Sequence, residues 1–164
     1  MFHIVLVEPE IPQNAGNIAR TCAATGCVLH LVKPLGFEIS DKYLKRAGLD
    51  YWHFVDVRVH ETFEEVQNEL QGIPFYFFTT KARRSYAEVS YEKGCALVFG
   101  KETAGLPEEL LLKNQEMCVR IPMLGERRSL NLSNSVAIAV YEGLRQHDFE
   151  GFQEAGELHR LKWE

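Results

Sequence analysis

An α/β domain built on a mainly parallel sheet with helices on both faces is predicted by three features of this 164-residue chain. Short apolar runs recur along it, most are separated by stretches of helical periodicity, and the runs are continuously apolar rather than alternating. Strands of that kind are buried on both sides, as in a parallel sheet covered by its own crossover helices.

Six strands are expected: Phe2 to Val7, Val28 to Val32, Trp52 to Val57, Phe75 to Thr79, Ala96 to Phe99 and Met117 to Ile121. Between the first two, Asn14 to Thr25 has one apolar face and stops at Gly26, with Asn14 as candidate cap. Ser40 opens a short helix ending at Gly48, Thr62 another ending at Gly72, and Pro107 a fourth in "LPEELLLK". The last helix follows "RSLNLSN" and carries Val136, Ala137, Ile138, Ala139, Val140, Tyr141 and Leu144 almost all round. A helix so apolar has to be covered on more than one side, so a homodimer is expected, with a second copy facing the side away from the sheet. No repeat, low-complexity tract or linker interrupts the pattern. The chain reads as one domain over residues 1–164, with a tail from about 148.

"FHIVLV" reads as a strand rather than a targeting segment, and no apolar stretch approaches the length a bilayer requires. A cytoplasmic location and no membrane partner are the expectation. Cys22, Cys27, Cys95 and Cys118 lie among apolar neighbours without paired spacing, which suits buried thiols better than a disulfide framework or a zinc site. A net charge of −5 argues against a surface dominated by phosphate contacts. Bases still gather in "KYLKR" (Lys42, Lys45, Arg46), "KARR" (Lys81, Arg83, Arg84) and "ERR" (Arg127, Arg128), where solvated patches and an RNA-facing edge both remain open readings.

Ligands of open parallel sheets sit outside the carboxyl ends of the strands. That rule selects "EPEIPQNAGN", "TTKARRS", "GKETAGLP" and "PMLGERRSLNLSN". "NAGNIAR" places Gly16 and two asparagines at a helix start, an anion-binding arrangement, with Asn17, Arg20 and Thr21 opposite the apolar face. "FGKETAGLP" fails as a P-loop, because Gly94 would need glycine where Phe99 stands and Glu102 occupies the metal-binding Ser or Thr position. No G-x-G-x-x-G is present either. Gly100 and Gly105 bracket a tight loop whose main chain can meet a flat ligand, with Glu102 available for a hydroxyl or a cation; the alternative is a plain turn before a Pro-initiated helix. Ser129, Asn131, Ser133, Asn134 and Ser135 crowd the mouth of the last helix, where a cap needs one or two such residues.

"NAGNIAR", "FGKETAGLP" and "IPM…RSLNLSNSVAIAVYE", in that order, resemble the three signature motifs of the SPOUT superfamily of RNA methyltransferases, and within it the branch that methylates ribose 2'-oxygens. "IVLVEPEIPQNAGNIAR", "KPLGFEISDKYLKRAGLDYW" and "TTKARRSYAEVSYEKG" extend the likeness to the small bacterial members that act on the wobble nucleotide of tRNA, over nearly the whole chain. The resemblance implies a deep C-terminal trefoil knot, S-adenosylmethionine as methyl donor, a homodimer, and the tRNA anticodon stem-loop as partner. The implied target is the cytidine or modified uridine of tRNA-Leu-type anticodon loops.

Carried onto this chain, the resemblance assigns Arg20 as the catalytic residue. It assigns Phe78, Thr79, Gly100, Glu102, Ile121, Met123, Ser129 and Leu130 to the cofactor, with main chain near Ile121 and Leu130 reading the adenine edge. Lys101 departs from the proline common in close relatives. RNA-binding candidates are Asn14, Asn17, Lys81, Arg83, Arg84, Arg127 and Arg128, and Tyr51, Trp52 and Tyr141 are candidates for stacking on bases or for packing. The implied chemistry is an in-line displacement that calls for no metal, because a sulfonium is already a strong electrophile. Guanidinium groups stay protonated, so Arg20 suits stabilising a developing alkoxide and gripping a phosphate better than acting as a base. Two alternatives stay open: a methyltransferase for another RNA, such as ribosomal RNA, and a non-catalytic RNA-binding module.

Overall fold

The continuous apolar runs become β1 (His3–Val7), β2 (Val28–Val32), β3 (Val57–His60), β4 (Phe75–Phe78), β5 (Ala96–Phe99) and β6 (Cys118–Val119). The computed structural model describes residues 1–40, 52–125 and 129–164; within them these strands form one sheet in the order β3-β2-β1-β5-β4-β6, every pair parallel. The helices are α1 (Pro12–Thr25), α2 (Phe63–Glu69), α3 (Glu108–Lys113) and α4 (Leu132–Gln146).

Successive side chains of a strand serve opposite faces, and both faces are covered. On one, Ile4, Leu6, Leu29, Leu31 and Phe99 meet Ile18 and Cys22 of α1 and Val136 and Val140 of α4. On the other, Val5, Val7, Val32, Phe77 and Val98 meet Val66 of α2 and Leu111 of α3. Ile4, Val5 and Leu6 are wholly buried, and each such side chain stabilises the fold by about 1.5–3 kcal/mol. The four cysteines are free and buried, as expected; burial pushes the Cys95 thiol up to about 12.

Several boundaries differ from the sequence reading. The strand expected at Trp52 to Val57 is a 3-10 turn over Trp52–Phe54 followed by β3. Trp52 is apolar because it packs into the core beside α1, which also removes it as a base-stacking candidate. α1 begins at Pro12, so Asn14 lies inside the first turn and is not the cap; the pre-set φ of proline suits the first helical position. α2 keeps Thr62 as its cap, with the hydroxyl accepting from Glu65 N at 3.3 Å, but stops at Glu69, short of Gly72. The tail turns back at Asp148 and Phe149, and Phe149 and Phe152 pack on the core.

The expected helix from Ser40 to Gly48 lies outside the described residues except for Ser40. Lys42, Lys45, Arg46, Tyr51, Arg127 and Arg128 lie outside them too. No helix among the described residues is long and apolar enough to cross a membrane.

Candidate active site: a cleft at the strand ends

β1, β5, β4 and β6 all point their carboxyl ends at one edge, and the loops that follow them enclose a cavity of about 410 Å³. That is within the range of small-molecule sites. Ile11 and Asn14 enter from α1, Phe78 to Lys81 follow β4, and Phe99 to Gly105 follow β5. Ile121 and Met123 follow β6, and Ser129, Leu130, Asn131 and Ser135 close the wall at the start of α4. All eight residues expected at a cofactor therefore line one cleft.

A hydrogen-bonded clamp holds the loops together. Glu102 accepts from the amides of Glu10 (2.8 Å) and Ile11 (3.0 Å) and from Asn14 Nδ2 (3.2 Å). Asn14 Oδ1 in turn accepts from Asn131 Nδ2 at 3.0 Å. Asn131 Oδ1 caps α4 through Ser133 N (2.9 Å) and Asn134 N (3.4 Å). Glu10 returns the contact, accepting from Thr103 N (3.1 Å) and Thr103 Oγ1 (3.0 Å). Burial alone would raise the Glu102 carboxyl, but the donors from Glu10, Asn14 and Ile11 outweigh it and hold the group below its ordinary range.

Two glycines make the close approaches. A Cβ on Gly100 would collide with Gly105 and the Leu106 amide, because the loop folds back with Gly105 N donating to Lys101 O at 2.8 Å. The same atom on Gly36 would collide with the Glu10 backbone, which braces the loop after β1. Gly100 thus leaves no room for a side chain where the loop closes on itself, and its main chain lines the cleft.

Other assignments change. Glu102 is engaged by three donors at the start of α1, so its visible contacts are those of an anchor between loops. Asn14 is 5% exposed with both ends of its amide engaged, so it belongs to the clamp and not to an RNA surface. Arg20 and Asn17 lie on the exposed side of α1, and Arg20 is not among the residues lining the cleft. Lys81 reaches the cleft but also pairs with Glu108 at 2.9 Å. With Arg83 and Arg84 it lines a neighbouring groove whose other residues include Glu108, Glu109 and Glu116, so the groove is not uniformly basic. The roles of Glu10 and Thr103 left no local signal: their pairing exists only across the folded edge.

The chemistry of the lining suits an adenosine-like molecule. Phe78, Phe99, Ile121, Met123 and Leu130 offer apolar surface for a flat base, and Thr79, Thr103, Ser129 and Ser135 offer hydroxyls. Residues 1–141 match the model of the SpoU rRNA methylase family. The chain belongs to that family. Among its SpoU relatives, a tRNA (cytidine(34)-2'-O)-methyltransferase of Methylovorus glucosotrophus is 52% identical over 152 residues, covering 92% of this chain and 99% of the relative. A solved structure concerned with 2-OH methylation of C/U34 on tRNA matches with 48% identity and a TM-score of 0.84, over 92% of this chain and 98% of the other. An AdoMet-bound rRNA methyltransferase from Sinorhizobium meliloti matches with 25% identity and a TM-score of 0.73, covering 88% of this chain and 56% of that longer one.

Proposed function

We propose that this chain is a tRNA methyltransferase that transfers the methyl group of S-adenosylmethionine to the ribose 2'-oxygen of the wobble nucleotide, cytidine or modified uridine, in leucine-type anticodon loops. The near-full-length identity to the Methylovorus enzyme carries this reading, and the weaker likeness to an rRNA enzyme at 25% identity makes ribosomal RNA the lesser choice. The chain acts as a single catalytic domain and a homodimer in the cytoplasm, with the segment from β6 to α4 threaded as the family's knot. The half-buried Ile138 and exposed Tyr141 on α4 support the second copy, as they leave apolar surface uncovered in one chain.

S-adenosylmethionine supplies a methyl group on a cationic sulfur, and the cleft residues Phe78, Thr79, Gly100, Ile121, Met123, Ser129 and Leu130 hold it, while Glu102 acts through the loop it anchors. Arg20 stabilises the charge developing on the ribose oxygen and grips an adjacent phosphate, since a planar, permanently charged guanidinium does both. Asn17, Arg83, Arg84, Arg127 and Arg128 bear on the RNA backbone, with Lys81 competing between RNA and Glu108. Nucleoside mass spectrometry of tRNA from a strain lacking the gene tests the assignment. Loss of 2'-O-methylation at the wobble position, restored by the gene, is expected; an unchanged wobble nucleotide would overturn it.

A further inference from the structure

The face of the sheet beneath α2, away from α1 and α4, carries a polar cluster that neither the cleft nor the core uses. His3, His30 and His60 stand on β1, β2 and β3 as a ladder across three neighbouring strands. His3 Nδ1 lies 2.9 Å from His30 Nε2, and His30 Nδ1 lies 3.0 Å from His60 Nε2. His30 is fully buried and His60 nearly so. Glu69, the last residue of α2, places Oε2 at 3.8 Å from His60 Nε2. One ligand atom from each of His30, His60 and Glu69 lies within 4.8 Å of the other two.

We propose that His30 Nδ1, His60 Nε2 and Glu69 Oε2 bind a divalent transition-metal ion, best matched by Zn²⁺, as a structural clip between α2 and the β3 edge of the sheet. Two imidazoles and one carboxylate form a donor set of the kind zinc accepts, with a fourth position left to water. The surrounding groups orient these donors. His3 Nδ1 can accept a proton held on His30 Nε2, which leaves His30 Nδ1 as a lone pair facing the site. His60 ligates with its proton on Nδ1, so both imidazoles enter neutral and no net proton leaves.

The carboxylate is oriented as well. Glu69 Oε1 is held by Arg58 Nη1, which leaves Oε2 for the ion. Arg58 also donates to both oxygens of Asp56, at 3.1 and 2.6 Å. Two carboxylates against one guanidinium leave one net negative charge beside the imidazoles, which favours a cation. Glu69 is partly exposed, so the ion has a path in. The sheet separates this clip from α1 and α4, and it is independent of methyl transfer.

Titration of the chelator-treated full-length chain with Co²⁺, followed by its visible absorption, tests the site, with Zn²⁺ as competitor. One Co²⁺ per chain is expected, displaced by Zn²⁺, and Zn²⁺ should raise the unfolding temperature. His60→Gln and Glu69→Gln should each weaken Co²⁺ at least about tenfold and abolish the thermal shift, and His3→Asn should weaken it by about 10–100-fold. His159→Gln, in the exposed tail, should change neither. Glu69→Gln, at the surface end of α2, keeps the test independent of any folding defect in His60→Gln. Absence of a stoichiometric cobalt spectrum at micromolar metal, or an unchanged spectrum in both His60→Gln and Glu69→Gln, would overturn the proposal.

Discussion

α1 and α4 begin beside the same cleft, yet their starts are held in opposite ways. α4 is capped from within its own sequence, by Asn131. α1 has Ile11 at the cap position with no side-chain cap bond; the two amides that lead into it, of Glu10 and Ile11, and the Asn14 side chain in its first turn go to Glu102, 92 residues beyond Glu10. A local cap forms wherever the helix forms; a borrowed anchor exists only when the loop after β5 is seated. The start of α1, and with it the placement of Arg20, is therefore tied to the loop that lines the cleft. A carboxylate at that position also complements the positive end of the helix dipole.

The largest expected effect tests what the borrowed anchor positions. Arg20→Ala should lower kcat/KM for methyl transfer by about 10²–10³-fold while leaving S-adenosylmethionine affinity within about twofold, as for loss of one charge-stabilising donor. Wild-type turnover in that variant would remove Arg20 from the chemistry. Next, Glu102→Ala strips three donors of their acceptor and should cost about 2–3 kcal/mol of stability, read as an unfolding temperature lower by roughly 4–10 °C. It should also weaken cofactor binding, measurable by calorimetry.

Asn131→Ala, the local counterpart, should cost less, about 1–2 kcal/mol. A larger loss there than in Glu102→Ala would rank the local cap above the borrowed anchor. Acid titration sharpens the same contrast. The Glu102 carboxyl is held below its ordinary value, so its contribution is complete above the unfolded value of 4.5 and is lost as pH falls through the depressed folded one. Acid unfolding of Glu102→Gln should lack that component, whereas Asn131→Ala should retain it. The smallest effect belongs to Lys81→Ala, whose exposed pair with Glu108 should contribute under about 1 kcal/mol.

Much of the architecture was legible because parallel strands advertise themselves. "IVLV" and "ALVF" admit little but burial on both faces, and Thr62 and Pro107 mark helix starts through local chemistry. The eight residues that the motif resemblance assigns to a cofactor line one cleft. Apolar content misled where tertiary packing, not a strand ladder, consumed it, as at Trp52. The Asn14 assignment failed because Pro12 is itself a suitable first helical residue, which starts the helix two positions earlier. Single histidines at positions 3, 30 and 60 gave no warning, since no sequence spacing unites residues on three different strands.

By itself the sequence determined most of the elements, the sheet type and the loops that line the cleft, because hydrophobic period, capping and turn residues act within a few positions of one another. Only the tertiary structure decided the strand order, the use of Glu102 to anchor the segment leading into α1, and the meeting of His30, His60 and Glu69. Each depends on contacts between residues tens of positions apart, whose partners become neighbours only when burial of the two apolar faces has closed the sheet.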